Sequence, residues 1–184
     1  MAMPLAKHFT VEEVLGLPDD GKRYEVVHGQ LLVTPAPSGF HQPMLMRLVR
    51  ALDPYLQAHG LEQLLTSPAD IIYSDDTLVQ PDLFVADTAA FLRSGKWIDV
   101  RTLYLAIEII SPSSVNTDRT IKRRLYQDQQ IPEYWVVDTD LRQVEVWTPD
   151  ATFPRIERQR LAWQHPALAA ECIVDLIALF NMGE

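Results

Sequence analysis

Apolar positions along the chain recur at two spacings, and the spacing switches several times between that of a helix and that of a strand. Val11, Val14 and Leu15 make a short helical face over 11–16, opened by Thr10 with Glu13 three residues later, the pattern of a capping box. Arg23-Tyr24-Glu25-Val26-Val27 and Gln30-Leu31-Leu32-Val33-Thr34 read as the two arms of a hairpin around His28-Gly29. A long helix follows over 39–59, capped by Ser38 and closed by Gly60, with Phe40, Leu45, Leu48, Val49, Leu52, Tyr55 and Leu56 at helical spacing. Pro54 predicts a kink in it or a second short helix.

Strands are expected at 62–66, 70–73 and 78–86, then a short helix opened by Asp87 or Thr88, then a strand at 103–110. Asn116 or Thr117 begins a helix through Gln130 with Ile121 and Leu125 facing inward. Residues 133–138 form a strand, and the alternation of Arg142 to Trp147 predicts a second with one wet face. A strand near 153–160 and a helix over 175–181 complete the chain. These elements describe one α/β domain over 1–184, with a mixed, curved sheet from 62 to 138 between the 39–59 and 117–130 helices and the N-terminal hairpin extending that sheet.

Two apolar strands each carry one carboxylate. Leu78-Val79-Gln80-Pro81-Asp82-Leu83-Phe84-Val85 holds Asp82, and Leu103-Tyr104-Leu105-Ala106-Ile107-Glu108-Ile109-Ile110 holds Glu108. A buried carboxylate without a partner costs several kcal/mol, roughly, so a cation, a donor or a raised pKa must offset it. A divalent metal ion would do so, because magnesium takes hard oxygen ligands and is usually held by one or two protein carboxylates plus substrate phosphate. Such an ion makes water a better nucleophile and offsets charge on a phosphodiester under attack. By strand parity Glu108 shares a face with the small Ala106, which leaves room beside it. On the helix that follows, Asp118, Lys122 and Tyr126 fall on one face at four-residue spacing, so Lys122 can reach inward.

The composition permits this reading. A net charge of −9, from 16 basic and 25 acidic residues, argues against a protein that coats nucleic acid non-specifically. The single cysteine, Cys172, excludes an internal disulfide and no Cys/His spacing suggests zinc. No signal-peptide core or membrane-spanning run is visible, so a cytoplasmic protein with no membrane association is expected.

The ordered series Arg23 to Gly29, His41-Gln42, Val79-Gln80-Pro81-Asp82-Leu83, Glu108-Ile109-Ile110-Ser111-Pro112-Ser113, Asp118 to Lys122 and Pro132 to Asp138 resembles the Uma-type restriction endonuclease family of the PD-(D/E)XK nuclease superfamily. The resemblance spans roughly residues 10 to 180. It implies a restriction-endonuclease-like core and magnesium-assisted hydrolysis of nucleic acid, with manganese as the alternative ion. Asp82 and Glu108 match the two metal-binding acids, and Glu25 matches an N-terminal glutamate facing the same site. The superfamily places a lysine two residues after the second acid, where this chain has Ile110; Lys122 on the following helix takes that role. His28 stands where relatives carry aspartate.

Each residue also has a plainer reading. Asp82 could bind backbone amides at a strand end, Glu25 could pair with Arg23 or Lys22, and the run Lys122-Arg123-Arg124 could be a solvated helix face. His41 is either a substrate contact or a local cap, while Asp70 and Gln80 stand near the proposed site. Tyr126 and Tyr134 read as core aromatics with satisfied hydroxyls. The expected function is a metal-dependent endonuclease acting on nucleic acid, DNA first, as a homodimer. The alternatives are a catalytically idle nuclease-fold module that binds nucleic acid or protein, and a hydrolase of small phosphoesters.

Overall fold

The structure is a computed structural model that describes residues 7–35, 39–61, 63–100 and 102–182. It opens with α1 (Val11–Leu15), whose capping box is complete: Thr10 accepts from the Glu13 amide and Glu13 accepts from that of Thr10. The hairpin of β1 (Arg23–Val27) and β2 (Gln30–Thr34) turns through His28 and Gly29, both at positive φ. Gly29 lies at φ +77°, in the left-handed region that favours glycine, and a Cβ there would also meet the His8 ring.

Helix α2 (His41–Ala58) runs unbroken through Pro54 and buries Met44, Leu45, Leu48, Leu52 and Leu56. Phe40, expected on its apolar face, is exposed, and the predicted Ser38 cap lies outside the described residues. At its far end Gly60 donates to Gln57 O and Leu61 to Leu56 O, the paired bonds of a glycine-closed terminus.

The segment expected as one strand over 78–86 is two. After β3 (Leu64–Thr66) and β4 (Ile71–Ser74) come β5 (Thr77–Val79) and β6 (Leu83–Ala86), and they belong to different sheets. Pro81, which has no N–H to give a ladder, lies in the crossing between them. The hairpin therefore does not extend the main sheet; it forms a four-stranded sheet of order β2-β1-β5-β4.

Next come α3 (Ala89–Ser94), where Asp87 accepts from the Ala89 amide, and β7 (Leu103–Ile109). The helical stretch after β7 comprises α4 (Val115–Thr117), a π-helical turn (Asp118–Lys122) and α5 (Arg123–Asp128). Then follow β8 (Glu133–Asp138), β9 (Gln143–Trp147), β10 (Arg155–Glu157), β11 (Arg160–Trp163), β12 (Cys172–Asp175) and α6 (Leu176–Phe180). The single strand expected near 153–160 is thus the short β10, and β11 and β12 pair in a ribbon of their own. The six-stranded main sheet has the order β10-β9-β8-β7-β6-β3, and among its pairs only β7 with β8 is parallel.

The two faces of this sheet have separate cores. Leu83, Val85, Leu105, Ile107, Trp135 and Val137 pack with α2, α6 and the β11–β12 ribbon. On the other face Phe84, Ala106, Tyr134 and Val136 pack with Leu125, Tyr126 and the small-sheet residues Val27, Leu32, Ile71 and Val79. Strand parity puts Asp82 and Glu108 on this second face, between the two sheets. The wet face expected for β9 is covered: Arg119 bridges to Asp138 and Glu145, Arg158 reaches Gln143, and the Arg123 guanidinium lies over the Trp147 ring.

Candidate active site

The register Leu83↔Ile107 carries Asp82, one residue earlier, alongside Glu108. Because β5 pairs with β1 through Val26↔Leu78, the crossing at Gln80-Pro81-Asp82 also brings Glu25 to the same place. Glu25 Oε1 accepts from the Gln80 amide at 2.6 Å, which ties the small sheet to the crossing. All four residues expected at the site converge. Lys122 Nζ donates to Glu108 Oε1 at 2.9 Å and stands 2.8 Å from Glu25 Oε2, an ion pair without the alignment of a hydrogen bond.

The lysine reaches inward because the chain makes a π-helical turn over Asp118–Lys122, in which the Arg123 amide donates to Asp118 O, five residues back. Tyr134 Oη donates to that same carbonyl at 3.1 Å, and Tyr126 Oη donates to Glu108 Oε1 at 3.3 Å. Both tyrosines are core aromatics with their hydroxyls used.

Sequence reasoning left three members of the cluster without a firm role. Asp118 stands with Oδ1 3.7 Å from Lys122 Nζ and is as buried as Asp82 and Glu108. Its place on the Lys122 face was legible from the four-residue spacing. Arg23 donates to Asp82 Oδ1 at 2.8 Å and to Gln80 O at 3.1 Å, not to Glu25. His41 Nε2 bonds Asp82 Oδ2 at 2.9 Å, so it neither caps α2 nor stands apart from the site. Of the outer candidates, Gln80 holds Asp70 through its amide at 2.7 Å, and Asp70 belongs to the support of the crossing.

Four buried carboxylates, Glu25, Asp82, Glu108 and Asp118, thus face two cations, Lys122 and Arg23. The imbalance is visible in their proton affinities. Burial would raise the Asp82 carboxyl, but the His41 hydrogen bond, the Arg23 charge and the Ile109 amide outweigh it and hold Asp82 well below the usual carboxylate range. Glu108 goes the other way: burial raises it well above normal, Lys122 opposes, and Asp82, Asp118 and Glu25 add to the rise. Burial also raises Asp118, to about 6, against the pull of Lys122 and Ser114. Burial would lower Lys122, yet Glu108, Glu25 and Asp118 together raise it, so the amine keeps its proton.

Asp82, Glu108, Asp118 and Lys122 line a recess of about 30 Å³ walled by Arg23, His41 and Ser111. Among the described residues no three His, Cys, Asp or Glu side chains are arranged to hold a metal ion by themselves. Nor is any helix of the described residues long and apolar enough to cross a membrane.

A family model described as "Putative restriction endonuclease", Uma2, matches residues 11–173. No curated protein matches the chain. Among solved structures, one described as "a putative nuclease belonging to DUF820" from Anabaena variabilis ATCC 29413 superposes with a TM-score of 0.77 at 20% identity. The match covers 94% of this chain and 98% of that one, so the two share a fold. A model matched over residues 11–173, far more than half of the length, makes this chain a member of the Uma2 family, described as "Putative restriction endonuclease".

Proposed function

We propose that this protein is a divalent-metal-dependent nuclease that hydrolyses phosphodiester bonds of nucleic acid, DNA in the first instance. One observation carries the reading: four buried carboxylates face two cations, and three of them, Asp82, Glu108 and Asp118, line a recess, a charge excess that a divalent ion would balance.

The donor set fits magnesium or manganese. A carboxylate offers about four acceptor directions. Asp82 uses three, for Arg23, His41 and the Ile109 amide, and Glu108 Oε1 takes both Lys122 and Tyr126, leaving Oε2 for an ion. Asp82 and Glu108 are the residues that would hold it, in the two-carboxylate manner usual for magnesium. When bound, the ion acidifies an attacking water and offsets charge on the phosphate.

The remaining residues set the geometry and the field. Lys122 contributes a fixed positive charge beside Glu108, where the developing negative charge of the transition state would be stabilised in a site shielded from solvent. Its raised pKa and burial make it an electrostatic group, not a proton donor. Glu25 orients Lys122 with one oxygen and fixes the Asp82 crossing with the other. Arg23 and His41 hold the Asp82 carboxylate ionised and in place.

The assay is cleavage of single- and double-stranded DNA and of RNA with magnesium or manganese, against EDTA and against Glu108→Gln. Metal-dependent cleavage that Glu108→Gln abolishes is the expected result. Hydrolysis of short nucleotides alone would favour the small-phosphoester reading, which the acidity of the chain and the narrow recess support. No hydrolysis of any of them would favour the idle module. The homodimer we propose for double-strand cutting is checked by sedimentation equilibrium, where a monomer at micromolar concentration would contradict it.

A further inference from the structure

We infer that the substrate strand continues past Asp82 into a second subsite, a groove that binds the phosphodiester next to the one being cut. This rests on the nuclease reading above. The groove, of about 160 Å³, is lined by Arg23, His41, Gln42, Ser67, Gln80 and Asp82 among others, and shares Arg23, His41 and Asp82 with the recess. The two spaces are therefore neighbours across one carboxylate.

The cations of the site divide between them. Lys122 is sealed, with a side chain only 3% exposed, and cannot meet a phosphate outside the recess. Arg23 is 19% exposed, and its guanidinium is anchored through Nη1 to both Asp82 Oδ1 and Gln80 O. A fork fixed at one nitrogen presents its others in a set plane, the geometry that suits a phosphate oxygen pair.

Two further features belong to the same wall. Among the described residues no side chain caps the start of the 18-residue α2, and Pro43 in its first turn has no N–H, so the amides of His41 and Gln42 are among the donors at the positive end of its dipole. His41 is nine-tenths buried, and while Nε2 holds Asp82, Nδ1 has no partner among the described residues. His41 lines both cavities, and its unpaired ring nitrogen is one that a water entering with the substrate would satisfy. The acids nearby are committed: Asp82 to Arg23 and His41, and Asp70 to the Gln80 amide. Gln42 itself is exposed at the rim.

The test is fluorescence anisotropy of a short DNA single strand on the full chain, with calcium in place of magnesium, over a salt series of about 50 to 200 mM. Arg23→Gln should weaken binding about tenfold and reduce the salt slope by about one, the signature of one lost phosphate contact. Gln42→Glu should also weaken it severalfold, and it guards against misfolding, because an acid in the first turn of a helix is stabilising. Arg93→Gln, the same charge change on exposed α3, should stay within about twofold of wild type. Loss in Arg23→Gln alone, with Gln42→Glu unchanged, overturns the subsite and leaves Arg23 as support for Asp82. So does wild-type behaviour in both variants. Failure of the wild type to bind this strand, a DNA duplex or an RNA strand overturns the nuclease reading itself, and the subsite with it.

Discussion

Lys122 is the residue on which the charge balance of the interior turns. With Glu25, Glu108 and Asp118 all within ion-pair distance, its removal leaves three buried carboxylates whose remaining nearby cation, Arg23, is already held by Asp82. Lys122→Met should therefore cost about 3–5 kcal/mol in urea denaturation, and a second change, Glu108→Gln, should recover part of it. Additive costs would mean that the pair is not coupled. Asp118 gives a pH signature of definite sign. Its folded pKa of about 6 lies above the unfolded value of 3.8, so its contribution to stability is complete below about pH 3.8 and is lost as pH rises through about 6. Asp118→Asn removes that loss, and the variant should gain on wild type between pH 4 and pH 7 in chemical denaturation. Parallel stability curves would contradict the burial of an ionised Asp118.

At the scale of elements, the crossing from β5 to β6 and the π-helical turn do most to build the site. Neither was visible in the pattern of apolar positions. Residues 78–86 are two apolar runs, Leu78-Val79 and Leu83 to Ala86, and apolar character says that a strand is buried without saying in which sheet; Gln80-Pro81-Asp82 between them was the local sign of a break. The hairpin, the β7 and β8 strands and the acids on them were legible because each is encoded by a few adjacent residues. The cover on β9 was not, since Arg119 comes from a helical segment more than twenty residues away and turns a predicted wet face into a buried one. Arg119→Ala should strip Asp138 and Glu145 of their cation and destabilise by about 1–3 kcal/mol, read as a shift of the denaturation midpoint. A shift within about 0.5 kcal/mol would mean that water replaces the arginine at no cost.

Across the whole molecule, two sheets share one interior, and the site sits at their junction. The six-stranded sheet supplies Glu108, the crossing into its β6 supplies Asp82 beside it, the small sheet supplies Arg23 and Glu25, α2 supplies His41, and the helical stretch after β7 supplies Asp118 and Lys122. Sequence order alone placed the acids and the lysine together through the family pattern, yet Arg23 and His41 acquire their roles only when the small sheet and α2 close over Asp82. A protein built this way concentrates negative charge where a cation would complete the balance. The most direct test is calorimetric titration of magnesium or manganese into the purified protein, with and without a DNA oligonucleotide, beside the Asp82→Ala, Glu108→Ala double variant. The account predicts saturable binding to the wild type that the double variant loses. Absence of binding by the wild type in both conditions would contradict it and leave a nuclease fold without nuclease chemistry.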